Sequence, residues 1–223
     1  MPKSPTRRRP RTVASLTDSA LALFTERGFH ATSISDIVER AGLTRGAFYS
    51  NYRDKDELFL ALYDAHADRL LSGLRDEAAR LDPGADLVDG LLAYTADRAS
   101  RERQWFLVSM EFTLHAARTP AVAELLAVHE ERLVHGVAGM ITETLARTGL
   151  RPTIDPADGA RLLIALFKGI SALEPVQGPR TIRGAEGLSR RIAPYLVRAL
   201  TTAADPRDPA QDAPRHTPHP NDD

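Results

Sequence analysis

A short segment near the N-terminus holds the side chains best suited to molecular recognition. Thr44 follows the turn Gly42-Leu43 and is a favourable N-cap residue, because its hydroxyl can accept a hydrogen bond from a backbone N–H of the next helical turn. Arg45 comes next, and its guanidinium presents two donors that match the O6 and N7 acceptors of guanine. One turn later, the phenol of Tyr49 can donate to a phosphate oxygen. This pattern predicts a helix that enters a DNA major groove with its N-terminal end.

Simpler roles are also open to these residues. Arg45 could contact a phosphate or only water, and Tyr49 could pack in the core. Gly46 lowers helix propensity, which suggests that its backbone lies close to another group, either DNA or the preceding helix. Thr44 and Ala47 flank this pair, at the end of the helix expected nearest the base edges.

Two further helices are predicted to hold this segment in place. Apolar residues at helical spacing, followed by Gly28 as a stop, indicate a first helix. These residues are Val13, Leu16, Ala20, Leu23 and Phe24. Ser33, with Asp36 three residues later, predicts the start of a second helix that ends at Gly42. Two short helices joined by a tight turn have the layout of a helix-turn-helix motif.

The rest of the chain is also predicted to be helical. Asp54 with Glu57 indicates the start of a fourth helix, and no β-type alternation follows residue 80. The spacing of apolar residues and breakers fits five more helices, at about 85–101, 104–117, 120–147, 155–174 and 184–201. The sequence therefore predicts an all-α fold with about nine helices.

Composition divides the chain into four regions. They are a disordered basic arm at 1–11, a helix-turn-helix DNA-binding domain at 12–55, a helical ligand-binding and dimerisation domain at 56–202, and a disordered tail at 203–223. Arm and tail contain too few apolar residues to build a core. The first 55 residues carry five more basic than acidic side chains, and the remainder carries six more acidic than basic ones. This asymmetry suits a polyanion-binding module attached to a body that does not bind polyanions.

Several classes of protein are excluded by what the sequence lacks. There is no cysteine, which rules out disulfides, thiolate metal sites and a cysteine nucleophile. No stretch approaches the roughly 18 uninterrupted apolar residues of a membrane span, so we expect a soluble cytoplasmic protein with no membrane partner. No hydrolase, phosphate-loop, zinc-protease or dinucleotide motif is present, so we expect neither an enzyme nor a cofactor.

Short motifs within residues 12–62 resemble the N-terminal domain of the tetracycline-repressor family in order and spacing. The motifs are Ala20-Leu21-Ala22-Leu23-Phe24, Gly28-Phe29, Thr32-Ser33-Ile34-Ser35-Asp36-Ile37, Ala41-Gly42-Leu43-Thr44, Gly46-Ala47-Phe48-Tyr49 and Lys55-Asp56-Glu57-Leu58. The resemblance implies nine helices, a homodimer, operator binding through the third helix, and release from DNA when a ligand enters the C-terminal domain.

The resemblance also extends the set of expected DNA contacts. Tyr49 and Lys55 match family positions that contact phosphate, whereas Asn51 departs from a position that is commonly aromatic or histidine. Thr32 and Ser33 combine hydroxyls with free N–H groups at the start of the second helix and offer a phosphate anchor. The predicted DNA-binding residues are Thr32, Ser33, Thr44, Arg45, Gly46, Ala47, Tyr49, Asn51 and Lys55. The arginines of the basic arm could reach a minor groove or simply be solvated.

A ligand site is expected among the sixth, seventh and eighth helices. Its predicted lining is Trp105, Phe112, His129, Met140 and Phe167. Aromatic, methionine and histidine residues are typical of apolar pockets, although each could instead be core, and His129 could be a hydrogen-bonded core histidine. Glu111 and His115 lie four residues apart but lack a third ligand of readable spacing, so we expect no metal.

The eighth and ninth helices are predicted to build a two-fold dimer. Helix eight has small residues on one side, Ala165, Gly169 and Ala172, and helix nine has an apolar face of Ile192, Leu196 and Leu200. Taken together, the sequence predicts a DNA-binding transcriptional regulator, specifically a repressor released from a palindromic operator by a small-molecule effector.

Overall fold

The chain folds into helices in the order expected. The structure is a computed structural model, and it describes residues 8–82, 85–181 and 194–204. The elements are α1 (Arg8–Arg27), α2 (Ile34–Arg40), α3 (Arg45–Tyr49), α4 (Lys55–Arg80), α5 (Ala85–Arg101), α6 (Arg103–Ala117), α7 (Pro120–Arg147), β1 (Leu150–Pro152), α8 (Pro156–Thr181), a helical segment at 194–199, and β2 (Thr201–Ala203). The all-α prediction is therefore confirmed, with corrections at several boundaries.

The first helix begins earlier than expected. Residues 8–11 were assigned to the disordered arm, but they form the first turn of α1. Pro10 does not prevent this, because the N–H groups of a first turn need no intrahelical partner and the fixed φ of proline suits a helix. Residues 1–7 of the predicted arm lie outside the described part of the chain.

Local capping explains why α2 and α3 start where they do. The Ser33 hydroxyl accepts a hydrogen bond from the Asp36 N–H, while the Asp36 carboxylate accepts one from the Ser33 N–H, so the predicted capping box is present. Thr44 caps α3 by accepting from the Ala47 N–H at 3.2 Å. Between the two helices, Gly42 has a φ of +64°, a left-handed conformation that glycine adopts at little cost.

An aromatic core joins the first three helices to the body of the protein. Phe29 and Phe59 lie with ring centroids 5.6 Å apart, and Phe112 of α6 packs 4.1 Å from Phe59 and 5.1 Å from Phe29. Phe24 and Phe48 are also fully buried in the same cluster. The small N-terminal domain thus shares its core with α4 and α6.

In the body, α7 packs against α4, α6 and α8. Contrary to the prediction, the chain that follows α7 is not entirely helical. Strands β1 and β2 pair antiparallel, with Leu150 opposite Ala203, although no strand was predicted there. Strands of three residues are too short to show a period-two pattern. Ala203, which was assigned to the disordered tail, belongs to this pair, and residues 205–223 lie outside the described part of the chain.

The last two helices also end differently from the prediction. Helix α8 continues through Pro175 and Pro179 to Thr181, because an interior proline removes a backbone hydrogen bond and kinks a helix without always ending it. Of the ninth helix expected at 184–201, residues 182–193 lie outside the described part and only 194–199 are seen to be helical. None of the described helices has the length and apolar composition needed to span a bilayer.

Candidate nucleic-acid interface and ligand cavity

The exposed surface of α3 carries the residues expected to read DNA. Thr44, Arg45, Gly46 and Tyr49 are all exposed, while Phe48 points inward and anchors the helix. The Arg45 guanidinium donates to the Ser35 hydroxyl at 3.3 Å and to the Tyr49 hydroxyl at 3.4 Å. These two contacts hold the Arg45 side chain along the outer face of the helix.

Two of the alternatives for α3 are now excluded. Tyr49 is 51% exposed, so the alternative that its side chain packs in the core is wrong. At Gly46, an added Cβ would meet only the Thr44 hydroxyl oxygen, at 3.7 Å, so close approach of α2 does not explain this glycine. Ala47 is half-buried, with its N–H already used by the Thr44 cap. The surface around Gly46 is therefore open to a partner outside the chain.

The phosphate anchor proposed at the start of α2 needs correction. Thr32 is only 1% exposed, and its hydroxyl donates to the Gly28 carbonyl at 2.8 Å, so this hydroxyl is committed inside the protein. Ser33 is exposed, as a phosphate contact would require, but its hydroxyl caps α2 and donates to the Asp36 carboxylate at 2.6 Å.

Lys55 and Asn51 likewise have partners within the domain. The Lys55 ammonium donates to the carbonyls of Phe29 at 2.7 Å and Thr32 at 2.8 Å, and it lies 4.2 Å from the centre of the Phe29 ring. Burial lowers the pKa of Lys55 below its ordinary value. Asn51 donates its amide to the Ala47 carbonyl at 2.8 Å. In this structure both side chains organise the backbone around α2 and α3.

A link between the two domains was missed from the sequence. The Glu111 carboxylate of α6 accepts a hydrogen bond from the Phe29 N–H at 2.7 Å, in the turn that follows α1. Gly28 has a φ of +85°, and a Cβ there would lie 2.8 Å from the Glu111 carboxylate. His115, one turn further, places Nε2 3.3 Å from the Asp56 carboxylate. Glu111 thus connects the two domains, and the His115 ring also packs on Phe29, with centroids 5.6 Å apart. The described residues contain no group of three side chains suited to a metal.

A cavity of about 220 Å³ lies inside the body. Trp105, Met140 and Phe167 line it, as predicted, from α6, α7 and α8. Helices α4 and α5 and the segment near residues 196–201 also line it, although the sequence did not predict this. The walls are mostly aliphatic, so the cavity suits an apolar ligand.

Two of the predicted lining residues lie elsewhere. Phe112 is fully buried between Phe59 and Phe29, away from the cavity. His129 places Nδ1 2.8 Å from the Asp64 carboxylate of α4, so the alternative of a hydrogen-bonded histidine is the one observed. Helical spacing identifies the inward face of a long helix, but different turns of that face meet different neighbours.

A polar cluster on the cavity wall was missed altogether. The His66 ring stacks on Trp105 with centroids 4.5 Å apart, and its Nε2 lies 3.5 Å from the Glu102 carboxylate. Arg98 donates to the other Glu102 oxygen at 2.8 Å. Burial, with help from the charges of Arg98 and Arg69, lowers the pKa of His66 to about 3, so the imidazole is neutral near pH 7. The only sequence signal was a histidine within the apolar stripe of α4.

The expected dimer surface is only partly available. On α8, Leu162 is 43% exposed, Ala165 is exposed, and a Cβ at Gly169 would meet nothing within 4 Å. Leu196 and Leu200 line the cavity, which corrects their assignment to an outward face of the ninth helix. They turn inward because the chain reverses into β2 and pairs with β1. Ala172 is half-buried, and Ile192 falls outside the described residues.

Comparison with known proteins agrees with this architecture. UidR of Escherichia coli K12, an HTH-type transcriptional regulator, is 24% identical over 181 residues, which cover 81% of this chain and 90% of UidR. FasR of Mycolicibacterium smegmatis, an HTH-type transcriptional activator, is 39% identical over 57 residues, and this match spans only 26% of each protein. The structure of Salmonella enterica GusR superposes with a TM-score of 0.67 at 21% identity, covering 87% of this chain and 100% of GusR.

Two family profiles match successive parts of the chain. The family described as "Bacterial regulatory proteins, tetR family" matches residues 16–62, and "BetI-type transcriptional repressor, C-terminal" matches residues 83–202. The second match alone spans more than half of the sequence. The proteins of this family are regulators that bind operator DNA and effectors and form dimers; they are not enzymes. The chain therefore belongs to the tetR family of bacterial transcriptional regulators.

Proposed function

We propose that this protein is a repressor that binds a palindromic operator as a homodimer and leaves it when an apolar or amphipathic small molecule fills the cavity. The observation that carries the proposal is the exposed recognition surface of α3, where Arg45 and Tyr49 lie side by side next to an unobstructed Gly46. Repression is favoured over activation because residues 83–202 match a family described as a BetI-type transcriptional repressor. The cytoplasm follows as the place of action, since operator DNA lies there.

Geometry favours direct base reading by Arg45. Its contacts to the Ser35 and Tyr49 hydroxyls are long, at 3.3 and 3.4 Å, so they orient the guanidinium without using all five of its donors. Tyr49 lies beside Arg45, exposed and able to donate to phosphate. Ser33, at the start of α2, is also exposed, but its hydroxyl would first have to leave the Asp36 carboxylate, to which it donates at 2.6 Å. Thr44 and Ala47 complete the surface that would face the groove.

A dimer is required because one recognition helix covers too few base pairs. Two copies of α3 about 34–36 Å apart would meet successive major grooves of a palindrome. The outward face of α8, with Leu162, Ala165 and Gly169, offers a site where a second copy could approach closely. Gly169→Leu should then yield monomers in analytical ultracentrifugation, and an intact dimer would place the interface elsewhere.

A gel-shift titration on fragments of the source genome tests the proposal. The parent should retard a specific fragment, and Arg45→Ala should weaken that complex by about 1–3 kcal/mol while leaving helicity unchanged. Arg80→Ala is a matched control, because it removes one exposed positive charge at the far end of α4. If Arg45→Ala discriminates among fragments as well as the parent does, α3 is not the reading helix.

The direction of control has its own test. A reporter placed behind the retarded fragment should be transcribed more strongly when the protein is absent. Lower transcription in its absence would make the protein an activator, as FasR is named. This result would leave the operator-binding part of the proposal intact.

A further inference from the structure

The polar groups around the cavity restrict what kind of effector it can hold, on the premise of the proposed function. Most of the hydroxyls on its wall are already used by the helices themselves. Thr95, Ser109 and Thr201 donate to backbone carbonyls of Leu91, Phe106 and Val197, respectively, at 2.7 to 2.9 Å. Such groups add little affinity for a polar ligand.

The charged groups on the wall are paired as well, except Asp155, which is exposed and accepts a hydrogen bond from the Ala157 N–H. Arg98 is bound to Glu102 at 2.8 Å, and Lys168 is bound to Glu130 at 2.7 Å. His66 contributes no charge near pH 7, because burial keeps its imidazole neutral. A charged effector would have to break one of these pairs or be buried without a counter-ion, and both are costly. The buried part of the cavity, away from the exposed Asp155, therefore disfavours ions of either sign.

Two fully buried hydrogen-bond donors on the described wall near Trp105 are left without a partner. Tyr63 lines the cavity, and its hydroxyl is buried with no partner among the residues that the structure describes; the same holds for Nε of Arg98. Burial raises the pKa of Tyr63, so its hydroxyl keeps its proton and remains a donor. Both residues belong to the end of the cavity near Trp105. The Tyr63 ring lies 6.4 Å from the Trp105 ring, and Arg98 pairs with Glu102, which contacts the His66 ring stacked on Trp105. A ligand atom that reaches them must accept hydrogen bonds.

The opposite end of the cavity is mostly apolar. Leu74, Met140, Leu145, Leu196 and Leu200 line it, together with the hydroxyls of Thr144 and Thr201. On α4 the lining runs from Tyr63 to Leu74, a distance of about 16 Å at 1.5 Å per residue. The cavity is thus long, with a donor-rich end and an aliphatic end.

We propose that the effector is an uncharged, elongated, mainly apolar molecule with a carbonyl-type acceptor at one end. The acceptor binds at the Trp105 end, where the Tyr63 hydroxyl donates to it, and the apolar remainder extends towards Met140 and Leu200. The class includes esters, ketones and lactones that carry an aliphatic chain.

Three probes with similar chains and different heads test this class: methyl decanoate, decanoate and decylammonium. Binding is followed at pH 7 by the emission of Trp105, the only tryptophan in the sequence. Methyl decanoate should bind at least about tenfold more tightly than either ion, because a buried unpaired charge is far more costly than a carbonyl. Tighter binding of decanoate or decylammonium would overturn the proposal, and so would the absence of any binding by the ester.

Tyr63→Phe isolates the hydrogen bond. This variant should bind methyl decanoate about 2- to 10-fold more weakly, while its resistance to urea should be unchanged or increased, since it removes a buried hydroxyl that has no partner. Tyr195→Phe is the control, because Tyr195 is exposed and does not line the cavity. If Tyr63→Phe and the parent bind the ester with equal affinity, the Tyr63 hydroxyl does not contact the ligand.

These binding measurements need no DNA, so they fail independently of the proposed function. If the ester binds but no genomic fragment is retarded, the effector class stands and operator binding does not. If a fragment is retarded but the ester does not bind, the regulator stands and the proposed effector class is wrong.

Discussion

The two ends of α6 lie in opposite environments. At the DNA-binding end, Phe112 is fully enclosed, with Phe59 and Phe29 packed on it at 4.1 and 5.1 Å. At the other end, Trp105 is stacked on Phe59 at 5.6 Å on one side and borders the cavity on another. One region is closed and the other is hollow, although the same helix builds both.

This contrast suggests how a ligand could affect the DNA-binding domain. A close-packed core has no empty space, so a side chain that moves there must push its neighbours. A cavity has empty space, and its walls can move when a ligand fills it. The rings of Trp105, Phe59, Phe112 and Phe29 are in continuous contact, and Lys55 lies over the last of them. We therefore expect a shift at Trp105 to reach the turn before α2.

The largest difference between the two regions should be in unfolding free energy. Phe59→Ala opens a hole in the closed core and should cost about 3–5 kcal/mol, whereas Met140→Ala enlarges an existing cavity and should cost about 2 kcal/mol. Urea denaturation of both variants measures the difference. Equal losses would mean that the body is packed as tightly as the DNA-binding end.

Acid should destabilise the hollow region through His66. Its pKa is about 3 in the folded protein and near 6.5 when exposed, so below pH 6.5 the unfolded chain takes up a proton that the folded one excludes. The His66 contribution to the free energy of unfolding should therefore fall by about 1.4 kcal/mol per pH unit as the pH drops from 6 to 4. Other titrating groups add their own contributions to this slope. His66→Phe should lose this component and keep the stacking on Trp105. Identical slopes for parent and variant would contradict the assignment.

Lys55 tests the closed region. Lys55→Met leaves the carbonyls of Phe29 and Thr32 without a donor and should cost about 1–3 kcal/mol. Operator affinity should fall, but its dependence on salt should not change, because the ammonium is already engaged within the domain. A slope shallower by about 0.9, with stability unaltered, would instead make Lys55 a phosphate contact.

The smallest effect in the free protein is expected at Gly46. Gly46→Ala should stabilise the fold by about 0.5–1 kcal/mol, since alanine favours a helix and its Cβ meets no obstacle. The same methyl group should weaken operator binding if α3 approaches the bases closely. Unfolding and gel-shift measurements on one preparation give both values, and unchanged DNA affinity would show that the groove is not close to Gly46.

The helices of the DNA-binding end were predicted well from the sequence because the patterns that define them are local. Ser33, Asp36 and Thr44 cap helices through contacts within three residues, so their spacing alone predicts the start of α2 and α3. Thr32 shows the limit of this reasoning. A threonine beside a cap looks available to phosphate, yet its hydroxyl bonds to Gly28 because of the path of the preceding turn.

The cavity lining was predicted less well because it depends on how helices distant in sequence pack against one another. Trp105 and Phe112 belong to the same helix, yet only one lines the cavity. His129 was chosen as a lone histidine in an apolar stripe and contacts Asp64, whereas His66 fits the same description and lies on the cavity wall. Helical periodicity cannot distinguish these cases, since both positions face inward.

The closed and hollow regions should be coupled, and Trp105 emission measures that coupling. For any compound that releases the operator in a gel shift, its affinity is measured by Trp105 emission with and without saturating operator. Thermodynamic linkage predicts that the operator weakens the compound by the same factor by which the compound weakens the operator. A compound that dissociates the complex without changing Trp105 emission, and that acts equally on Trp105→Phe, would place the effector site outside this cavity and show that filling the cavity does not control DNA binding.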